Sequence, residues 1–126
     1  MAVAQISAVT FAVADMARSV RFYRRCGFEL LHGGEGADFT SFRAGGGFVN
    51  LMLRSGYTAQ CWGRAIFHVQ DVDAHHRELV AAGLRPEAPP ADAPWGERFF
   101  HITDPDGHEL SFAQPMTRRG DAAGPD

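Results

Sequence analysis

The stretch Pro94-Trp95-Gly96-Glu97-Arg98-Phe99-Phe100-His101-Ile102-Thr103-Asp104-Pro105-Asp106-Gly107-His108-Glu109-Leu110-Ser111-Phe112 decides the fold. It reads as strand, tight turn, strand, with a large aromatic residue at its start. Pro105 presets φ at the second turn position, and Gly107 suits the left-handed geometry that closes such a turn. A hairpin of this kind needs further strands and a covering element to bury its apolar face. The rest of the chain supplies them twice.

Val13-Ala14-Asp15-Met16 is echoed by Val69-Gln70-Asp71-Val72, and Gly27 by Gly83, each at a spacing of 56 residues. In each copy a strand leads into a helix. Asp15 and Asp71 are N-cap residues whose carboxylates accept from the first unpaired helix amides. Gly27 and Gly83 suit the left-handed position that ends a helix. Met16, Val20 and Tyr23 form one apolar stripe, with Arg18, Arg21, Arg24 and Arg25 on the solvated side. In the second copy Val72, Leu79 and Val80 make the stripe, and His75, Arg77 and Glu78 face outward. Three strands are expected after each helix: 28–33, 38–44 and Gly47–Leu53, then 84–87, 98–102 and 108–114. The proline-rich stretch 87–94 is a loop that cannot join a central strand. Residues 116–126 are a polar, frayed tail. The organisation is βαβββ twice: module one over about 5–54, a linker at 55–62, and module two over about 63–115. Copies this short cannot close a barrel singly. One α+β domain is expected, its two modules combining into a curved mixed sheet with a concave cleft.

Composition agrees with one compact domain of 126 residues, 45% hydrophobic and 21% charged. A net charge of −3 gives no electrostatic case for nucleic acid or an anionic membrane as partner. Every basic residue is arginine, which carries no functional weight. Residues 1–5 lack the basic start of a signal peptide, and no apolar run reaches the length of a membrane span. The expected compartment is cytoplasmic, with Cys26 and Cys61 reduced and Cys26 a buried structural thiol.

Ser7-Ala8-Val9-Thr10-Phe11-Ala12-Val13-Ala14-Asp15, with Phe22-Tyr23 and Gly27-Phe28, resembles the opening module of the glyoxalase, bleomycin-resistance and extradiol-dioxygenase group, the vicinal-oxygen-chelate superfamily. Arg64-Ala65-Ile66-Phe67-His68-Val69-Gln70-Asp71, with Leu79 and Gly83, resembles its second module, and the final hairpin resembles its closing element. The resemblance covers roughly residues 6–115. It implies the fold but not one activity, because the group hosts many. In its metalloenzymes a divalent metal is held by residues from the first and last strands of each module. Carried over position by position, those ligands fall on Ala8, Asn50, Arg64 and Ser111. Alanine has no donor atom, arginine is a permanent cation, and serine with asparagine make a poor divalent site. A register shift of one brings Glu109 or Phe112 to the carboxylate position, but a slip of one also flips the facing. The expectation is no metal and no cofactor.

His68 shares side-chain parity with Arg64, and His101, His108 and Glu109 lie near the hairpin. A His68/His101/Glu109 cluster is the remaining donor set, without a spacing signature. His75-His76 cannot chelate from one helix face. Gly45-Gly46-Gly47 is a hairpin turn and not a phosphate loop. No Ser/His/Asp arrangement is readable, and no residue is assigned as catalytic.

The expected ligand site is therefore aromatic and polar: Trp95 and Trp62, Phe48, Met52 and Phe99, with Asn50, Arg64, Ser111, His68 and His101. Some of Phe39, Phe42, Phe48, Phe99 and Phe100 must face the cleft. Drug-binding members of the group resemble this chain in carrying Pro-Trp-Gly or similar before the last hairpin. The resemblance implies metal-independent sequestration of a small aromatic or amphipathic natural product, in a homodimer that often exchanges modules. The alternative is a glyoxalase-like lyase or isomerase, with or without a divalent metal, using His68, His101 or Glu97 as acid or base. A metal-dependent glyoxalase or dioxygenase and a pure protein-interaction module are the further readings.

Overall fold

The computed structural model describes residues 1–59 and 62–116. The expected tail therefore lies outside the described residues beyond Met116, and so does Cys61. Strand β1 (Ala8–Val13) leads into helix α1 (Met16–Arg25), followed by β2 (Glu29–His32), β3 (Phe39–Ala44) and β4 (Gly47–Leu53). The second module repeats the order with β5 (Arg64–His68), α2 (Val72–Ala81), β6 (Ala91–Asp92), β7 (Glu97–Thr103) and β8 (Glu109–Pro115). Strand pairing stays within each module. The two sheets run β1-β4-β3-β2 and β5-β8-β7-β6, each with one parallel pair, β1–β4 or β5–β8, and antiparallel pairs elsewhere. The chain is α+β, built as tandem βαβββ modules.

Both helix starts are where the repeat puts them. Asp15 accepts from the Arg18 amide and Asp71 from the Ala74 amide, at 3.1 and 3.0 Å. Gly27 and Gly83 end the helices at φ of 103° and 90°, a conformation that costs a residue with a Cβ.

In the first sheet Thr40, Phe42, Val49 and Leu51 are buried, on the face that meets α1. Tyr23 of α1 is the hub of that core, with its ring 5.3 to 6.2 Å from those of Phe22, Phe28, Phe42 and Phe11. Of these, Phe22, Tyr23 and Phe42 are buried, each contributing roughly 1.5–3 kcal/mol of transfer free energy. Arg18, Arg21, Arg24 and Arg25 are exposed, as the solvated-face reading requires.

The second core differs from expectation at α2. Val72 and Leu79 are buried, but Val80 is 51% exposed. The inward stripe is completed by His75 and His76, with ring centroids 4.7 Å from Phe112 and 5.0 Å from Phe100 respectively. Positions 72, 75, 76 and 79 fall on one helical face, whereas 80 lies one step past it. Hydrophobicity drew the stripe to valine, and geometry gave the position to histidine.

The expected strand at 84–87 is also absent. Pro86 interrupts it, and Glu87 reaches β7 through its amide, which donates to the His101 carbonyl at 2.9 Å, and its carboxylate, which accepts from Thr103 Oγ1 at 3.0 Å. Pairing resumes at Ala91–Asp92, inside the stretch read as loop. The short β6 is an edge strand, where neighbouring prolines leave no central ladder bond unmade.

The Asp104-Pro105-Asp106-Gly107 turn forms as read, with Gly107 at φ 99° and the Asp104 amide donating to the His108 carbonyl at 2.8 Å. Pro105–Gly107 belong to the compact unit of the first module; the flanking strands belong to that of the second. Asp106 has a side chain only 1% exposed. Its Oδ1 accepts from the Ala14 amide and the Arg18 guanidinium, and its Oδ2 from the Ser19 hydroxyl.

Candidate functional site

Alternation along each strand leaves the face opposite the helix as the place for ligand chemistry. In the first module that face carries Phe48, Asn50 and Met52 on β4, the expected set. The register completes a polar row across three strands: Thr10 pairs with Asn50, and Asn50 with Ser41. Ser41 Oγ donates to Asn50 Oδ1 at 2.7 Å, and Asn50 Nδ2 donates to Thr10 Oγ1 at 3.3 Å. Phe48, Met52 and Phe39 flank the row as exposed apolar residues. Phe42 belongs to the core instead.

In the second module the corresponding face reads, along β8, Glu109, Ser111 and Ala113. Arg64 pairs with Glu109, Ile66 and His101 with Ser111, and His68 and Phe99 with Ala113. Phe100 is buried on the other side. Both tryptophans are exposed, Trp62 at 71% and Trp95 at 62%, and a carboxylate orients each indole. Trp62 Nε1 donates to Glu109 Oε2 at 2.5 Å, while Arg64 Nη2 donates to Oε1 of the same carboxylate at 2.5 Å. The Arg64 guanidinium carbon lies 5.3 Å from the Trp62 ring centroid, a cation–π contact, and Arg64 Nε is buried without a hydrogen-bond partner. Trp95 Nε1 donates to Glu97 Oε1 at 3.0 Å and the indole stacks on Phe99, with ring centroids 6.2 Å apart. Phe99 in turn lies 4.9 Å from the His101 ring.

Ser111, the serine expected at the site, is buried and shares a 2.5 Å hydrogen bond with His101 Nδ1. Burial pushes the His101 imidazole below its ordinary pKa, and the Arg64 charge pushes it further, against opposing pulls from Glu87 and Glu109. His101 is accordingly a neutral imidazole at pH 7. His68 is half exposed, with Nε2 2.9 Å from Glu97 Oε2.

The positions that hold metal in the superfamily are geometrically equivalent in the two modules. Ala8 pairs with Phe48 and Arg64 with Glu109, so Asn50 and Ser111 each lie one row in from the first-strand position. The donor chemistry does not fit a divalent ion: Ala8 has no donor, Arg64 is cationic, Asn50 Oδ1 accepts from Ser41, and Ser111 is bonded to His101. His68, His101 and Glu109 stand in three successive rows, each with its own partner, and do not converge. Among the described residues no group of three or more His, Cys, Asp or Glu side chains is placed to hold a metal.

Sequence reasoning missed Glu97 as the residue that orients Trp95, and missed Thr10 and Ser41. Ser41 was legible, since the hairpin turn at Gly45-Gly46 sets which β3 residue faces Asn50; Thr10, on the parallel strand β1, was not. Nothing in the sequence marked Glu97 as shared by two side chains.

Among solved structures the chain is similar to TioX from Micromonospora sp. ML1, with 31% identity, 89% of this chain and 99% of that one covered, and a TM-score of 0.72. It is similar in fold to a glyoxalase/bleomycin resistance protein/dioxygenase from Nocardioides, at 18% identity, 94% and 88% coverage and a TM-score of 0.74. The same holds for a lactoylglutathione lyase from Agrobacterium tumefaciens, at 20% identity, 88% and 93% coverage and a TM-score of 0.71. No curated protein sequence matches. The model of the Glyoxalase/Bleomycin resistance protein/Dioxygenase superfamily matches residues 5–112, and the chain belongs to that superfamily.

Proposed function

We propose that this protein binds and sequesters a small aromatic or amphipathic natural product without a metal, in a cleft formed by a homodimer. The observation that carries the reading is the pair of exposed indoles, each held by a carboxylate on the open face of the second sheet. An exposed tryptophan with a fixed ring offers a large flat surface at low ordering cost. Sequestration needs affinity only, so no group has to be complementary to a transition state. Arg64, standing at a metal-ligand position, supplies a donor and a stacking surface in place of Lewis acidity. Exchange of modules between the two chains and action in the cytoplasm belong to the same proposal. Neither nucleic acid nor a membrane is a partner in this proposal.

Titration of the purified protein with a panel of aromatic and glycopeptide antibiotics, followed by tryptophan fluorescence, tests it. A saturable quench that weakens about tenfold or more in Trp95→Ala is expected. Absence of any saturable quench across the panel refutes the proposal.

A second reading rests on His101. A neutral imidazole bonded to Ser111 beside a guanidinium is able to take a proton from a bound substrate, as a lyase or isomerase requires. Turnover of a superfamily-type substrate that vanishes in His101→Ala supports that reading over sequestration.

A further inference from the structure

Glu97 joins two features of the open face. One oxygen, Oε1, accepts from the indole of Trp95; the other, Oε2, faces Nε2 of His68 at 2.9 Å. Glu97 is largely covered, with a side chain 13% exposed, whereas that of His68 is 52% exposed. A carboxylate only accepts, so the His68 hydrogen facing it must sit on Nε2. The neutral ring then presents a bare lone pair at Nδ1. This is the arrangement by which a carboxylate sets the tautomer of an imidazole. His68 and Phe99 share one cross-strand row through Ala113, and Phe99 stacks on Trp95. An aromatic platform and an acceptor nitrogen are thus brought together by a single side chain.

Resting on the binding reading above, the geometry points to a hydroxyl-bearing aromatic ligand: a phenolic ring that stacks on Trp95 and donates its O–H to Nδ1 of His68. His68 is then a specificity-determining residue and Glu97 a positioning residue. The charges around the pair favour a neutral hydroxyl over a carboxylate ligand. Glu97 faces His68 directly and Glu109 lies on the same sheet face, with Arg64 already paired to Glu109. A ligand carboxylate brings a further negative charge to the lone pair of a neutral imidazole and finds no donor there. A neutral O–H finds its complement.

The test uses matched probes, 2-naphthol, 2-methoxynaphthalene and 2-naphthoate, titrated calorimetrically into the whole protein. One neutral hydrogen bond predicts that 2-naphthol binds about two- to tenfold tighter than 2-methoxynaphthalene at about pH 8, with 2-naphthoate no tighter than the ether. In His68→Leu the ratio falls to near one. His68→Gln, whose amide oxygen still accepts, keeps part of it, and Glu97→Gln lowers it by freeing the tautomer. A phenol-to-ether ratio unchanged in His68→Leu overturns the inference. Equal binding of all three probes overturns it while leaving the aromatic site standing. Failure of every probe to bind overturns both.

Discussion

Asp106 is the residue whose removal the structure prices most directly. Its carboxylate is out of solvent and accepts from the Ala14 amide at 2.9 Å, the Arg18 guanidinium at 3.0 Å and the Ser19 hydroxyl at 3.0 Å. Truncation to alanine leaves the Ala14 N–H part-buried and the Ser19 O–H wholly buried without that acceptor. Each orphaned donor costs about 1–3 kcal/mol. The Arg18 side chain is 44% exposed and regains water, so its ion pair adds little. The expected loss for Asp106→Ala is about 3 kcal/mol, roughly 10 °C in Tm for a domain of this size. Asp106→Asn keeps one acceptor oxygen and loses less. Urea unfolding followed by circular dichroism measures both. Combining Asp106→Ala with Ser19→Ala removes one of the orphaned donors, so the double variant is expected to lose less than the sum of the singles. A loss below about 0.5 kcal/mol for Asp106→Ala, or strict additivity with Ser19→Ala, refutes the reasoning, because either result means the donors find other partners at no cost.

The backbone at Gly33 has φ +85°, and a Cβ built there lies 2.3 Å from the Phe39 carbonyl oxygen. Gly33→Ala is expected to cost about 2 kcal/mol or more, and Gly45→Ala, with φ +59° and nothing within 4 Å, clearly less. Equal urea midpoints for the two variants contradict this. His101 has its folded pKa depressed below 6.5, so the unfolded chain binds the proton more readily. Its contribution is fully present above about pH 6.5 and is lost as pH falls through the window between the unfolded and folded values. Relative to His101→Asn, the wild type is expected to lose stability on acidification in that window, and parallel stability curves for the two proteins count against it. Chelation with EDTA is expected to leave both the melting temperature and the antibiotic-induced quench unchanged; a drop in either points to a metal that the donor chemistry at Ala8, Asn50, Arg64 and Ser111 does not support.

The architecture was legible wherever a local rule had a single solution. Asp15 and Asp71 cap helices because only a short acceptor side chain satisfies the first amides. Gly27 and Gly83 end them because the left-handed turn excludes most other residues. Period two then placed Phe48, Asn50 and Met52 on one face. The resemblance to the superfamily, not periodicity, implied that its metal-ligand positions fall on Ala8, Asn50, Arg64 and Ser111. Legibility failed where two local rules competed. Val80 outranks His75 in hydrophobicity, yet helical phase sends the histidines inward against Phe100 and Phe112.

What sequence by itself determined was the tandem βαβββ plan with its caps and turns, because these depend on spacings within a few residues. What tertiary structure alone decided was partnership between residues far apart in the chain. Asp106 reaches residues around ninety positions earlier, and Glu97 holds Trp95 with one oxygen and His68 with the other. No periodicity encodes such pairs, since a hydrogen bond across the fold depends on where whole strands and helices come to rest.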